Sequence, residues 1–325
     1  MSTALSPAAA SPAAVPSAAP KALPPTPGTQ AAGEPPMNAR QSARRRAISG
    51  DGGSPVGRAF GYGAMVLTAL VFLLPLYFIL ITSLKTHGDI YSDPISWIPD
   101  PFAPENFSTV MNNLNFGTYL RNSIIITAIL TIVEVTLGVL SAYGFAFLRF
   151  PGRDLLFLLL IGSLMVPNQI TIISNYSMVA QWGWRNTFAG IIVPLAGVAF
   201  GAFLMRNHFL SLPTEIMEAA EMDSAGFFRT LFKVVLPMSW PTVSAFVLIT
   251  VVTEWNQYLW PFLIASDDSV MPLPIGLTQL QNSEGMTNWG PVMAGTIITT
   301  LPMLLVFILL QKQMIKGLTA GAVKG

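Results

Sequence analysis

The chain has 325 residues, 52% of them hydrophobic and 10% charged, with a mean hydropathy of +0.57 and a net charge of +1. Soluble domains carry about 25% charged residues, so this is the composition of a membrane protein. It contains no cysteine, which excludes disulfides, thiol catalysis and cysteine-ligated metal sites.

Residues 1–58 form a compartment of their own, dominated by Ala, Pro, Ser and Gly, with no apolar period. Such a segment cannot bury enough surface to offset its ordering entropy and is expected to be disordered. No apolar run precedes a small-residue cleavage site, so it does not read as a signal peptide. Arg44, Arg45, Arg46 and Arg58 lie just before the first apolar run. There they read as a topology signal rather than a nucleic-acid patch.

Six apolar runs follow, at about 64–83, 122–147, 155–180, 187–205, 241–264 and 291–310. Each approaches the ~20 residues that a membrane-spanning helix needs. With the N-terminus inside, fourteen Lys and Arg fall on inner segments and only Lys85, Arg121 and Arg185 on outer ones. That asymmetry predicts a multi-pass membrane protein with cytoplasmic termini. The outer loops, from Lys85 to about Arg121 and over 265–290, carry seven acids together with Pro, Trp and Asn. They are expected to be shaped loops that receive an external partner, with plain connectors as the alternative.

Polar residues recur inside the runs. The second has Thr127, Thr131 and Glu134 on one helical face, continued by Gly138 and Ser141. The third has Asn168, Thr171 and Asn175 directly after Pro167, and the fifth has Thr250, Glu254 and Gln257 beside Trp255, Asn256, Tyr258 and Trp260. Polar groups at membrane depth face a bundle interior or a watery path. A path or gate is therefore expected from Asn168, Thr171, Asn175, Glu254, Trp255, Asn256, Gln257 and Tyr258. The alternatives are interhelical hydrogen-bond glue, which is favoured for Glu134, and an interfacial belt for Trp255, Tyr258 and Trp260.

Between the fourth and fifth runs, residues 206–241 read as helix. Pro213 suits a first helical turn and Glu215 complements the helix dipole. Glu215, Glu218 and Met222 share one face, with Ala219 and Ala220 keeping the adjoining surface slim. After Gly226, the residues Phe227, Phe228, Leu231, Phe232 and Val235 form an apolar stripe. A short helix of small residues and acids suits a groove on another protein.

This segment resembles the EAA motif of permease subunits in binding-protein-dependent ABC importers. Glu218-Ala219-Ala220 is followed by Ser224 where Gly is usual, then by Val234, Leu236 and Pro237. Further stretches resemble the carbohydrate branch of that family, which includes the maltose and glycerol-3-phosphate importers. They are Leu164-Met165-Val166-Pro167-Asn168-Gln169, Glu254-Trp255-Asn256-Gln257-Tyr258-Leu259-Trp260-Pro261, Asn288-Trp289-Gly290 and the tail from Gly317 to Gly325. Around Trp184-Arg185-Asn186-Thr187-Phe188-Ala189-Gly190 the similarity is to the second permease type of glycerol-3-phosphate/glycerophosphodiester importers.

The resemblance covers about 59–325 and implies an all-α, polytopic, six-helix transmembrane domain of the type I importer class. Its core would lie at about 118–311, its coupling loop at 206–241 and its C-terminal tail at 312–325. It implies ATPase coupling through Glu215, Glu218, Ala219, Ala220, Asp223, Ser224, Ala225 and Pro237, and tail contacts to the ATPase from Lys316, Gly317, Gly321 and Lys324. The implied partners are a second permease in a heterodimer, two copies of an ATP-binding subunit that hold ATP and Mg, an extracytoplasmic solute-binding protein and the bilayer. No cofactor, metal or nucleic acid is expected on this chain.

The implied cargo is glycerol-3-phosphate or a glycerophosphodiester, and the alternative is a neutral sugar of the maltose or trehalose type. A phosphate wants Arg or Lys, and the runs contain neither, which keeps the neutral sugar open. No P-loop is present, so nucleotide chemistry must lie elsewhere. An ion-coupled transporter using Glu134 and Glu254 as a proton relay would leave the EAA segment unexplained. A membrane enzyme would have only His87 and His208 to work with, in no clustered motif.

Overall fold

A computed structural model describes residues 55–113, 115–281 and 286–322. The predicted tail therefore lies outside the described residues except for its last four positions, which are helical from Pro55. The chain divides at Thr68 into two units, and the described part of the first is the start of helix α1 (Pro55–Thr82). Every side chain of α1 from Val56 to Tyr77 is exposed.

Two short helices follow, α2 (His87–Ile90) and α3 (Glu105–Asn113), and then the long α4 (Phe116–Phe147). The next elements come in bent pairs. They are α5 (Arg153–Leu164) with α6 (Asn168–Gln181), and α7 (Phe188–Leu195) with α8 (Ala199–Phe209). After α9 (Thr214–Met222) come α10 (Phe227–Met238), α11 (Trp240–Trp255), α12 (Leu259–Ile264), α13 (Leu273–Thr278) and α14 (Trp289–Ala322). Among the described residues there is no strand.

Among the described residues, three helices are long and apolar enough to cross a membrane unbroken, over Val56–Thr82, Phe116–Phe147 and Trp289–Lys312. Three bent pairs make up the rest, giving six spans if each pair counts as one. The predicted third, fourth and fifth runs are thus not continuous helices. The third turns by 94° after Leu164, where Pro167 cannot donate to the preceding turn. The fourth bends by 42° just past Pro194. The fifth region bends by 83° at Ser239, between Pro237 and Pro241, and breaks again at residues 256–258 between α11 and α12. The last span also runs on as helix to Ala322, where a separate tail was expected.

Helix α4 is the spine of the fold. Along it are strung three apolar clusters: one at Phe116 and Tyr119, a second at Ile126 and Leu130, and a third at Val139, Ala142 and Tyr143. Helices α8 and α11 lie against it, and α11 also packs on α14. Lipid is as apolar as leucine, so close van der Waals packing rather than water exclusion holds such helices together. Gly138 of α4 and Gly201 of α8 let the two helices approach closely, with the Phe246 ring laid against both.

At the end of α1 a polar staple fixes the segment leading to α3. Asn106 donates to the carbonyls of Ser83 (3.0 Å) and Lys85 (2.9 Å). A Cβ on Gly290 would strike this amide. Lys85, one of the three cations on the predicted outer segments, is buried. Its ammonium donates to the Ser96 carbonyl and faces the Asp89 carboxylate at 4.0 Å.

Candidate functional site

The breaks at Pro167, between α7 and α8, and at 256–258 meet around one cavity of about 950 Å³, whereas the bend at Ser239 does not reach it. It is lined by Ser163 and Leu164 at the end of α5, the Pro167 bend, and Asn168, Gln169, Thr171 and Asn175 of α6. Pro194, Leu195 and residues 197–200 around the α7–α8 break form another wall, with Glu134 of α4 beside them. From α11 come Thr250, Thr253 and Glu254, followed by Gln257, Leu259 and Trp260. Irregular backbone is tolerated at membrane depth only where it is covered by protein or lines a watery cavity, and here it lines a cavity. Trp260 fixes one edge, its indole N–H shared between the carbonyls of Gly190 (3.2 Å) and Ile191 (3.1 Å).

Of the predicted path residues, Asn168, Thr171, Asn175, Glu254 and Gln257 come together at this cavity. The other three do not. Trp255 is buried against Val110, Phe116, Tyr119 and Leu273 in the first cluster on α4. Asn256 is exposed and donates to the Val252 carbonyl of its own helix at 2.7 Å. Tyr258 stacks on Phe262, with ring centroids 5.6 Å apart. Successive residues on a helix point about 100° apart, so adjacency to Glu254 does not carry Trp255 to the same surface.

Glu134, favoured above as interhelical glue, lines the cavity too. Ser163, Gln169 and Thr253 were not singled out. Thr253 does fall on the same face as Thr250 and Gln257, a spacing the sequence displayed. The hydroxyls of Thr127 and Thr131 are buried without a partner and do not line the cavity.

Among the described residues no Lys or Arg lines the cavity. Arg121 reaches the side-chain oxygen of Asn122 at 3.1 Å, and Arg185 sits 5.6 Å from the centre of the Tyr176 ring. The residues between α12 and α13 are clamped down. Asp268 accepts from the Tyr119 hydroxyl (2.6 Å), and Asn122 donates to the Asp268 and Met271 carbonyls. Asn186 donates to Asp267 at 2.8 Å. Hydrogen bonds from Ser269, then from Asn186, hold the Asp267 carboxyl below its ordinary range.

A second feature is α9, none of whose residues lines the cavity. Pro213 caps its start, one position before the first turn where it was expected. Glu215, Glu218, Ala219 and Asp223 are exposed, whereas Ala220 is buried. Ser224 closes the helix in the left-handed region at φ 49°, with Ala225 N–H bonded to the Ala220 carbonyl at 3.0 Å. Glycine is usual in this position because a Cβ strains it. Ser224→Gly is therefore expected to stabilise the turn by about 1 kcal/mol, read as slower amide exchange across α9.

Beyond it α10 takes a π-turn at Leu231–Val235. The predicted apolar stripe is consequently split. Leu231 and Val235 are fully buried, and Phe227 packs edge-on against Tyr143 at 4.7 Å. Phe228 and Phe232 are exposed and stacked on each other at 6.4 Å. Pro237 is exposed, just before the 83° bend. Lys316, Gly317 and Gly321 fall within α14, and Lys324 lies outside the described residues.

Residues 134–318, which include both the cavity and α9, match the family described as binding-protein-dependent transport system inner membrane component. The chain is 33% identical over 261 residues to the sn-glycerol-3-phosphate transport system permease protein UgpE of Yersinia pestis bv. Antiqua (strain Antiqua), covering 78% of this chain and 93% of that protein. It is 30% identical over 272 residues to the protein of the same name from Brucella suis biovar 1 (strain 1330), covering 81% and 96%. The fold superposes, with a TM-score of 0.70 and 23% identity, on a chain of a bacterial ABC transporter involved in the import of the acidic polysaccharide alginate. That match covers 80% of this chain and 98% of the other.

Proposed function

The chain belongs to the family of binding-protein-dependent transport system inner membrane components, and from that membership we propose that it forms one half of the solute path of an ATP-driven importer. As a permease subunit it is a transport component and not an enzyme. The reading is carried by one observation: three broken spans turn their polar groups toward a single cavity, while α9 stands exposed away from it. A second, pseudo-symmetric permease completes the path. Two copies of an ATP-binding subunit hold ATP and Mg, and an external binding protein delivers the solute.

In this reading α9 is the coupling helix, with Glu215, Glu218, Ala219, Asp223 and Ser224 on the surface that meets the ATPase. The excess of Lys and Arg on alternate segments supports cytoplasmic termini. Closure of the ATPases on ATP draws the coupling helices together and opens the path toward the loaded binding protein, and hydrolysis resets it. The cargo is a small hydroxylated solute, either glycerol-3-phosphate or a glycerophosphodiester, as the relatives' names support, or a neutral saccharide, as the amides and hydroxyls of the cavity support.

Proteoliposomes containing the assembled importer are expected to accumulate solute only with ATP inside and to be indifferent to a protonophore. Uptake that survives ATP depletion and collapses with the protonophore would establish the proton-coupled alternative through Glu134 and Glu254.

A further inference from the structure

Beyond α2, residues 94–99 return to the flank of α1. The Tyr77 hydroxyl donates to the Trp97 carbonyl at 2.5 Å, and the Trp97 ring lies 5.4 Å from that of Phe78. Tyr77 and Phe78 stand five and four residues before the helix end at Thr82, about 6–8 Å back along its axis. The apolar helix Val56–Thr82 has 27 residues, so it measures about 40 Å, the thickness of a bilayer with its headgroup layers. Trp97 is thus held near the boundary between headgroups and hydrocarbon, on the outer side in the orientation proposed above.

The polarity of this stretch is inside out. Ile95, Trp97 and Ile98 are 65%, 58% and 74% exposed. The Lys85 and Asp89 side chains, joined to the stretch through Ser96, are 4% and 8% exposed. A loop in water turns its charges outward and its large apolar groups inward. Asp93 and Asp100, both exposed, bound the stretch on either side.

The backbone is prepared for lipid as well. The carbonyls of Pro94, Ser96 and Trp97 accept from the side chains of Ser92, Lys85 and Tyr77. Pro94 and Pro99 have no N–H to leave unpaired. Such capping matters where water is scarce, because lipid cannot satisfy a free peptide group. The same surface continues onto α1, where Leu73, Leu74, Leu76 and Leu80 are each more than half exposed.

We infer that residues 94–99 form a membrane-interface anchor, lying in one leaflet against the end of α1 with Ile95, Trp97 and Ile98 turned to lipid. Trp97 sits at headgroup level, where an amphipathic ring is favoured. The anchor draws this part of the first outer loop down onto the bilayer and fixes the depth of α1. The inference rests on α1 crossing the membrane, and neither on the solute nor on the coupling role of α9.

The chain has no cysteine, so single cysteines can be introduced and spin-labelled one at a time, with the signal of a complex containing the unaltered chain subtracted. In the assembled importer in liposomes, labels at Ile95→Cys and Ile98→Cys are expected to be relaxed by dissolved oxygen and shielded from a water-soluble nickel chelate, as at Leu74→Cys on α1. The oxygen-to-nickel ratio at both should exceed that at Asp93→Cys by about tenfold, the factor by which a cost of about 1.4 kcal/mol keeps a polar solute out of apolar surroundings. All four positions are exposed, so the substitutions disturb no packing.

Nickel access at 95 and 98 equal to that at 93 overturns the inference and leaves a loop in water. Shielding from both reagents overturns it too, and assigns this face to a protein partner. If neither labelled variant accumulates, quenching by brominated lipid decides: the wild type should show a quenched tryptophan component that Trp97→Phe lacks, and equal quenching of the two overturns the inference. None of these outcomes bears on the importer reading, which ATP-driven uptake decides separately.

Discussion

Glu218→Lys is expected to abolish ATP-driven uptake while the protein still inserts and folds. Glu218 is exposed on α9, so its replacement disturbs no packing, and substitutions at such sites usually change stability by about 0.5 kcal/mol or less. The proposed ATPase contact is another matter. An interfacial acid paired with a basic residue loses about 2–5 kcal/mol on losing its partner, and reversing its sign adds repulsion. The result should be a fall in coupled uptake of about 30-fold or more, with loss of ATPase stimulation by the loaded binding protein. Membrane content and melting temperature should match the wild type. Normal uptake by E218K would remove α9 from the coupling role while leaving the cavity untouched.

Gly201→Leu is expected to prevent the folded protein from accumulating. A Cβ at Gly201 would lie 2.2 Å from Cζ of Phe246, 2.8 Å from Cε1 and 3.1 Å from Cε2. The ring cannot swing aside, because Phe246 is 1% exposed and lies in a cluster with Val139, Met205, Leu231 and Val243. Across the same contact a Cβ on Gly138 would meet Gly201 Cα at 3.1 Å. Even Gly201→Ala should lower stability by about 1–3 kcal/mol, the usual penalty for overpacking. Phe246→Leu combined with G201A should recover part of that loss in a double-mutant cycle read by thermal unfolding in detergent. Strict additivity in the cycle would show that the ring is not the obstacle.

Much of the architecture was legible in the composition. Six apolar runs stand out because each averages its hydropathy over about 20 residues, and that average survives a break. For the same reason hydropathy cannot reveal a bend. Pro167 announces a kink in the third run, but the 94° turn depends on what packs around it. The helix at Thr214–Met222 was readable from Pro213 and Glu215, which act locally. The π-turn at Leu231–Val235 was not, since no residue pattern in the chain specifies an extra residue per turn.

At the cavity the legible part was the stripe of Thr250, Glu254 and Gln257, where helical spacing alone gathers side chains on one face. The aromatic set beside it was read by adjacency along the chain, and adjacency misplaced Trp255, which a helix turns toward the core. Glu134 could not be assigned from α4 alone. Its surroundings are set by the break between α7 and α8, which lies some sixty residues further along the chain.

The joint at Pro167 ties this protein to the thickness of its lipid. Helix α5 has 12 residues and α6 has 14, so the two arms measure about 18 and 21 Å, and neither alone matches a hydrocarbon layer of about 30 Å. A straight span answers hydrophobic mismatch by tilting, whereas a jointed one answers it by flexing at the joint. Here the joint is also a wall of the cavity. A bilayer thickness that flexes this joint would therefore move a wall of the cavity without touching a single lining residue.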